Sequence, residues 1–168
     1  DEITDLTEKN AEEIGKINSK PLIYKVTKAN IEKTFQLLKI IKDIAYLDLD
    51  INTEVLFFDK IKNTFPKLQI IISYHDFKQT PTEKALCKIV QKMIFRKADI
   101  LKIATQALGV EDSFRILSLL SRISPKRKAI FLCMGKHGRL TRIAGHLLGN
   151  YLMYAPMSAA HFTASGQL

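Results

Sequence analysis

Short apolar runs alternate along the chain with longer stretches in which apolar residues recur every three or four positions. Runs of the first kind are typical of buried strands, and stretches of the second kind are typical of amphipathic helices. Strands are predicted over residues 20–28, 45–51, 67–75, 98–104, 127–134 and 151–155. Helices are predicted over residues 8–20, 30–44, 53–65, 80–97, 110–123 and 140–150. This alternation favours an α/β fold built on a parallel sheet of about six strands.

Composition supports an ordinary globular protein. The 168 residues fit a single domain, and 46% of them are apolar. The sequence contains no apolar run of membrane-spanning length, so no membrane association is expected. The two cysteines, Cys87 and Cys133, lie in apolar contexts without metal-ligand spacing and are interpreted as reduced thiols of a cytoplasmic protein.

The chain is basic, with a formal net charge of +9 from 26 Lys and Arg against 17 Asp and Glu. Such a balance suits either nucleic acid or a small anionic substrate. The positive charges are spread out, and neither zinc-finger spacing nor the aromatic and basic alternation of an RNA-binding sheet is present. A solvated basic surface is therefore preferred, and nucleic-acid binding ranks lowest among the functions considered.

Two strands carry chemically useful side chains. The run "IIISYHDF" ends in His75, and the carboxyl ends of parallel strands are where such folds keep their chemistry. In "ADILKIA", Lys102 interrupts an otherwise apolar strand. Burial lowers the pKa of a lysine, and a neutral amine can attack a carbonyl to form a Schiff base. The alternatives are a histidine that caps a strand end and a lysine whose head reaches solvent.

The two residues suit one reaction. A histidine titrates near neutral pH and can move protons while an imine forms and while a neighbouring carbon loses a proton. Asp76 is a doubtful partner for His75, because adjacent strand residues point in opposite directions. Arg142 follows a glycine-containing loop, where a guanidinium suits a carboxylate. The remaining histidines are interpreted as surface or packing residues.

The segments "SYHDF", "ADILKIA", "MGKHGRLTRIAGHLLGN" and "TASGQL" together resemble the type I 3-dehydroquinate dehydratases. The resemblance runs from about residue 20 to residue 168 and implies a (β/α)₈ barrel. It also implies a lyase of the shikimate pathway that removes water from 3-dehydroquinate through a lysine imine. No cofactor and no metal is implied.

The resemblance assigns roles by position. Lys102 matches the Schiff-base lysine and His75 the acid–base histidine. Arg142 matches the arginine that binds the substrate carboxylate. Gln167 matches the glutamine of the closing loop, Thr163 stands where a serine is usual, and Met134 matches a methionine that lines the pocket.

The sequence departs from the family at further positions. Ser165 replaces a proline of the closing loop, and Thr27 stands where an arginine is usual. The strand that usually carries Glu-x-Arg, and the last helix, have no counterpart. A barrel needs eight strands, so the expectation is an incomplete barrel domain over residues 1–168, taken from a longer polypeptide, with weak substrate binding and exposed sheet edges.

Other readings stay open. One is a different lysine-imine enzyme of the class I aldolase kind, although the histidine and the "GQ" segment favour dehydration. Another is a catalytically impaired barrel module of a bifunctional protein, which Thr27 and the missing strands favour. A homodimer and a fused shikimate dehydrogenase domain are also compatible with the resemblance.

Overall fold

The computed structural model describes residues 21–28, 31–41 and 44–155. Within these ranges strands and helices alternate, which confirms the α/β pattern. A 3₁₀ turn, Lys136–Gly138, links the last strand to the last helix. In chain order the elements are β1 (Leu22–Lys25), α1 (Thr34–Ile40), β2 (Ile44–Asp50), α2 (Val55–Thr64), β3 (Gln69–Asp76), α3 (Glu83–Phe95), β4 (Ile100–Gln106), α4 (Val110–Ile123), β5 (Lys128–Met134) and α5 (Arg139–Leu147).

The strands form a five-stranded sheet in the order of the sequence, β1-β2-β3-β4-β5. β1 pairs with β2 in parallel, and β4 pairs with β5 in parallel. The chain separates into two compact units whose boundary lies between Ile71 and Ile72, inside β3. The helix predicted over residues 8–20 lies outside the described residues.

The first unit has an apolar core between β2 and its helices. Leu47 and Leu49 of β2 are buried, and Ile61 of α2 is buried with them. Asp48, also buried, has its carboxylate 4.0 Å from the ammonium of Lys25. An apolar cavity of about 520 Å³ opens beside the first residue of β2 and the loop that precedes β3. It therefore lies at the amino-terminal ends of these strands, whereas His75 is close to the carboxyl end of β3.

The second unit is held by two strands that are buried on both faces. Every residue of β4 except Gln106 is buried, and so is every residue of β5 except Lys128. Parallel strands covered on both sides carry continuous apolar runs, which is why these two segments are so readily identified. Helix α4 covers them with Ile116, Leu117 and Leu120, the three-and-four spacing of one helix face.

The sixth predicted strand, residues 151–155, is wrong: these residues are not a strand in the structure. The only bridge there joins Ala129 to Asn150, and the Tyr151 amide donates to the Ala129 carbonyl over 2.8 Å. The Asn150 side chain takes both backbone groups of Phe131, accepting from its N–H at 2.8 Å and donating to its carbonyl at 3.0 Å. A side chain thus replaces the ladder that a strand would form.

Close packing around Asn150 explains a neighbouring glycine. A Cβ on Gly145 would collide with the Asn150 side-chain amide, so only glycine fits there. The backbone N–H of Asn150 donates to the Gly145 carbonyl over 2.9 Å. Asn150 therefore ties the end of α5 to the edge of β5 and fixes where the chain leaves this helix.

We expect Asn150→Ala to lower the free energy of unfolding by about 2 to 3 kcal/mol, because the buried N–H and the buried carbonyl of Phe131 lose their hydrogen-bond partner. Urea denaturation measures this change. Asn63→Ala, at an exposed position of α2, is the matched control and should change the free energy by less than about 0.5 kcal/mol. Equal midpoints for the two variants would show that Asn150 does not anchor this edge.

Candidate active site

His75 is the seventh of the eight residues of β3, close to the carboxyl end of the strand as expected. The residue is half-buried, and its ring lies nearly parallel to that of Phe77, with 5.9 Å between the ring centroids. Phe77 itself is 73% exposed. The imidazole thus stands at the strand end with one face against a solvent-exposed aromatic ring.

Asp76 organises the loop after β3. One of its carboxylate oxygens accepts from the backbone amides of Lys78 and Gln79, at 2.9 and 3.1 Å. The other accepts from the Tyr74 hydroxyl at 3.4 Å, and burial followed by the Asp76 charge raises the pKa of that tyrosine. Both oxygens of the Asp76 carboxylate thus bind groups next to His75 along the chain. This agrees with the expectation that Asp76 does not orient the His75 ring.

Lys102 is buried, with 7% of the residue exposed. Its ammonium nitrogen lies 4.6 Å from the centroid of the Tyr154 ring, which is a cation–π geometry. The placement of Lys102 at the carboxyl end of its strand is wrong, because it is the third of seven residues. β4 continues beyond Ala104, since Thr105 and Gln106 still pair with Cys133 and Met134. The lysine side chain therefore leaves the sheet well before the strand ends.

Arg142 is also buried, at 5% exposure, on the first half of α5. Its Nη1 donates to the Tyr154 carbonyl over 3.4 Å. Its Nε has no hydrogen-bond partner among the described residues. Burial lowers the pKa of this guanidinium, with the neighbouring Cys133 acting in the opposite direction. A guanidinium stays charged at neutral pH, so a buried cation with donors to spare is held here.

The loop before α5 brings the helix onto β5. Gly135 adopts φ +81°, a conformation that favours glycine, and a Cβ on Gly138 would collide with the Cys133 carbonyl. The Thr141 hydroxyl then accepts from the Cys133 amide at 2.8 Å. These contacts fix the first turn of α5 against the end of β5, and Arg142 is the next residue along.

The two faces of the β4–β5 pair differ in chemistry. Lys102 pairs with Ile130 and Gln106 with Met134, so side-chain alternation puts Lys102 and Met134 on the same face. Thr105 and Cys133 occupy the other face, where the hydroxyls of Thr80 and Thr105 lie 2.9 Å apart. Lys102 and Met134 thus share one face, and a buried network of small polar groups fills the other.

Cys133 does not neutralise Arg142. Burial is the main cause that raises the pKa of the Cys133 thiol, and hydrogen bonds to Thr105 and Thr80 oppose it. A thiol whose pKa is raised stays protonated at neutral pH. Along the described stretch of chain, no carboxylate forms a salt bridge with Arg142 either. Among the described residues, the charge of the guanidinium therefore stays available to bind an anion.

The structure thus connects Lys102 and Arg142 through Tyr154 and puts Met134 on the face of Lys102. His75 lies on β3, the strand next to β4. Thr163 and Gln167 lie outside the described residues. Tyr154 is the residue that the sequence analysis missed, because its segment was predicted as a strand. The only hint of Tyr154 in the sequence was an aromatic residue in the apolar run that follows α5, the helix that carries Arg142.

No helix within the described ranges is long and apolar enough to cross a bilayer. In the same ranges, no three His, Cys, Asp or Glu side chains are grouped to hold a metal ion.

Solved structures define the class of fold. The chain superposes on a 3-dehydroquinate dehydratase from Geobacillus kaustophilus with a TM-score of 0.81 and 20% identity, covering 95% of this chain and 68% of that one. It also matches a protein from S. pombe titled dehydroquinate dehydratase and shikimate dehydrogenase, with a TM-score of 0.74, 18% identity, and 90% and 31% coverage. The fold is the α/β barrel of these enzymes, incomplete in the described residues.

The family follows from the sequence match. The model of the type I 3-dehydroquinase family matches residues 4–168. A 3-dehydroquinate dehydratase from Methanococcus maripaludis is 37% identical over 147 residues, which cover 84% of this chain. The chain belongs to the type I 3-dehydroquinase family. It spans 64% of the length of that relative.

Proposed function

We propose that this chain carries the reaction centre of a 3-dehydroquinate dehydratase, which eliminates water from 3-dehydroquinate to give 3-dehydroshikimate through an imine on Lys102. The observation that carries the proposal is the pair of buried cations, Lys102 and Arg142, joined through one residue in a chain of this family. One cation suits a nucleophile for a ketone, and the other suits the carboxylate of the same substrate.

Lys102 supplies the electron sink. Its neutral amine adds to the keto carbon, the carbonyl oxygen leaves as water, and the nitrogen becomes a cationic iminium. That cation makes the adjacent carbon acidic, because the electron pair left by the departing proton moves towards nitrogen. The resulting enamine expels the hydroxyl group one carbon further on, and hydrolysis of the product iminium frees the lysine. The sequence starts when the resting ammonium of Lys102 loses a proton, because only the neutral amine can add to the ketone.

His75 moves the protons in this proposal. An imidazole can assist loss of water from the adduct, take the proton from the carbon beside the iminium, and return a proton to the departing hydroxyl. Its half-buried position at the end of β3 leaves the ring open to a substrate and to solvent exchange.

Arg142 holds the carboxylate, and the other candidate residues complete the pocket. The spare donors of the guanidinium suit a two-point contact with a carboxylate. Met134, on the face of Lys102, lines the pocket, and Thr163 and Gln167 close it. Residues 1–168 are proposed to belong to one barrel domain that acts in the cytoplasm.

The family departure at Thr27 is expected to weaken substrate binding. Thr27 follows β1 in the first unit, where a hydroxyl replaces the charged group that is usual in the family. Loss of one charge-assisted contact costs about 1.5 to 3 kcal/mol.

We expect Lys102→Ala to abolish conversion of 3-dehydroquinate, on the order of 10⁵-fold or more, because no other group forms the imine. His75→Ala should slow turnover by about 10² to 10⁴-fold. The conjugated product is followed by its ultraviolet absorbance. Lys88→Ala, an exposed lysine of α3, is the control and should retain full activity. Undiminished turnover by Lys102→Ala would refute the assignment.

We expect Arg142→Gln to raise KM for 3-dehydroquinate by about 10- to 150-fold, the equivalent of 1.5 to 3 kcal/mol for one charge-assisted contact. The carboxylate is bound alike in the ground and transition states, so kcat should change much less. Steady-state kinetics separates the two constants. Arg139→Gln, one turn earlier on α5 and exposed, is the matched control. A fall in kcat at constant KM would remove Arg142 from carboxylate binding.

A further inference from the structure

Tyr154 touches both buried cations. Its ring centroid lies 4.6 Å from the Lys102 nitrogen, and its backbone carbonyl accepts from Arg142 Nη1 at 3.4 Å. One contact uses the side chain and the other uses the main chain. A substitution can therefore remove the first and leave the second in place.

Hydrogen bonds of two residues shortly before Tyr154 attach this part of the chain to β5. Asn150 is tied to both backbone groups of Phe131, and the Tyr151 amide is bonded to Ala129. Tyr154 is three residues beyond that attachment, which belongs to β5, the partner strand of β4. The Tyr154 ring is thus attached to β5, and β5 pairs with β4, the strand that carries Lys102.

We propose that Tyr154 is a positioning residue for the imine chemistry: the face of its ring holds the Lys102 nitrogen whenever that nitrogen is cationic, while its backbone carbonyl holds Arg142. This inference rests on the proposed function. It adds that one residue sets the separation between the imine and the carboxylate site.

The charge on the Lys102 nitrogen changes through the reaction, and so does its attraction to the ring. The resting ammonium is a cation, and an aromatic face attracts it. The neutral amine that adds to the ketone is attracted far less. When the adduct loses water, the nitrogen becomes cationic again as the iminium, and the ring attracts it once more. Tyr154 therefore stabilises the iminium, the species in which the carbon beside the C=N bond loses its proton.

Two substitutions separate the ring from the rest of the residue. Tyr154→Phe keeps an aromatic face, and Tyr154→Leu removes it with similar apolar bulk. Both keep the carbonyl that holds Arg142. Tyr154→Phe should retain kcat and KM within about threefold of the unsubstituted chain. Tyr154→Leu should lower kcat by about tenfold or more with KM for 3-dehydroquinate nearly unchanged, because the ring contact with Lys102 is lost while the carbonyl that holds Arg142 stays.

The chain contains a matched control. The Lys128 nitrogen lies 4.6 Å from the Tyr151 ring centroid, the same distance as in the Lys102 pair, but Lys128 is exposed at the start of β5. Tyr151→Leu removes this pair and should leave kcat and KM unchanged. Circular dichroism and melting temperatures identify a misfolded variant, and Tyr154→Met replaces Tyr154→Leu if the latter melts early.

A measurement without substrate separates failure of this inference from failure of the proposed function. Reductive methylation with formaldehyde at one fixed, near-neutral pH reports the neutral amine of each lysine, read by peptide mass spectrometry. Labelling of Lys102 relative to Lys88 should rise in Tyr154→Leu and stay unchanged in Tyr154→Phe. If the unsubstituted chain shows no turnover but this difference holds, the proposed function fails and the ring contact stands. If Leu and Phe variants agree in labelling or in kcat, the positioning role is overturned.

Discussion

The site depends on a lysine ammonium placed inside an apolar strand. Burying an isolated charge costs several kcal/mol unless neighbouring groups compensate for it. At Lys102 the compensation includes the face of the Tyr154 ring, which attracts a cation without supplying a negative charge. A carboxylate in the same place would bind the ammonium more firmly and would hold the lysine in its unreactive form. An aromatic partner binds the ammonium less firmly than a carboxylate would, so the ammonium loses its proton to give the reactive amine more readily.

The rest of the second unit keeps that lysine and Arg142 in place. β4 and β5 are buried on both faces. On the face opposite Lys102 the Cys133 thiol donates to the Asp112 carbonyl of α4, and the Thr141 hydroxyl of α5 accepts from the backbone amide of Cys133. Thr141 fixes the first turn of α5 to β5, and Arg142 is held in place because it is the next residue of the helix. A second cation is then buried close to the first, and the charge that balances it is proposed to come with the substrate. Two buried cations attract an anion by their field alone.

Sequence patterns predicted the parts of this structure that local physics determines. The limits of α4, Val110–Ile123, follow from one apolar stripe that starts after Gly109, and the β4 and β5 runs are apolar because both of their faces are covered. Residues 151–155 were predicted as a strand because their apolar content suits one. Asn150 prevents the pairing through contacts with a residue nineteen positions away, which no local pattern reveals. The contact between Tyr154 and Lys102 was missed for the same reason. Lys102 and Arg142 were singled out from the residue pattern and given roles by a family resemblance, and the structure adds their burial and the residue that joins them.

Borohydride reduction during turnover tests the central claim most directly, because it converts an imine into a stable amine and records which lysine carried it. The full protein is incubated with 3-dehydroquinate and borohydride, digested, and mapped by mass spectrometry. The account predicts one added ligand, located on the peptide that contains Lys102, and no addition when borohydride is used without substrate. A ligand on a different lysine, or none in a preparation that turns over 3-dehydroquinate, would contradict it.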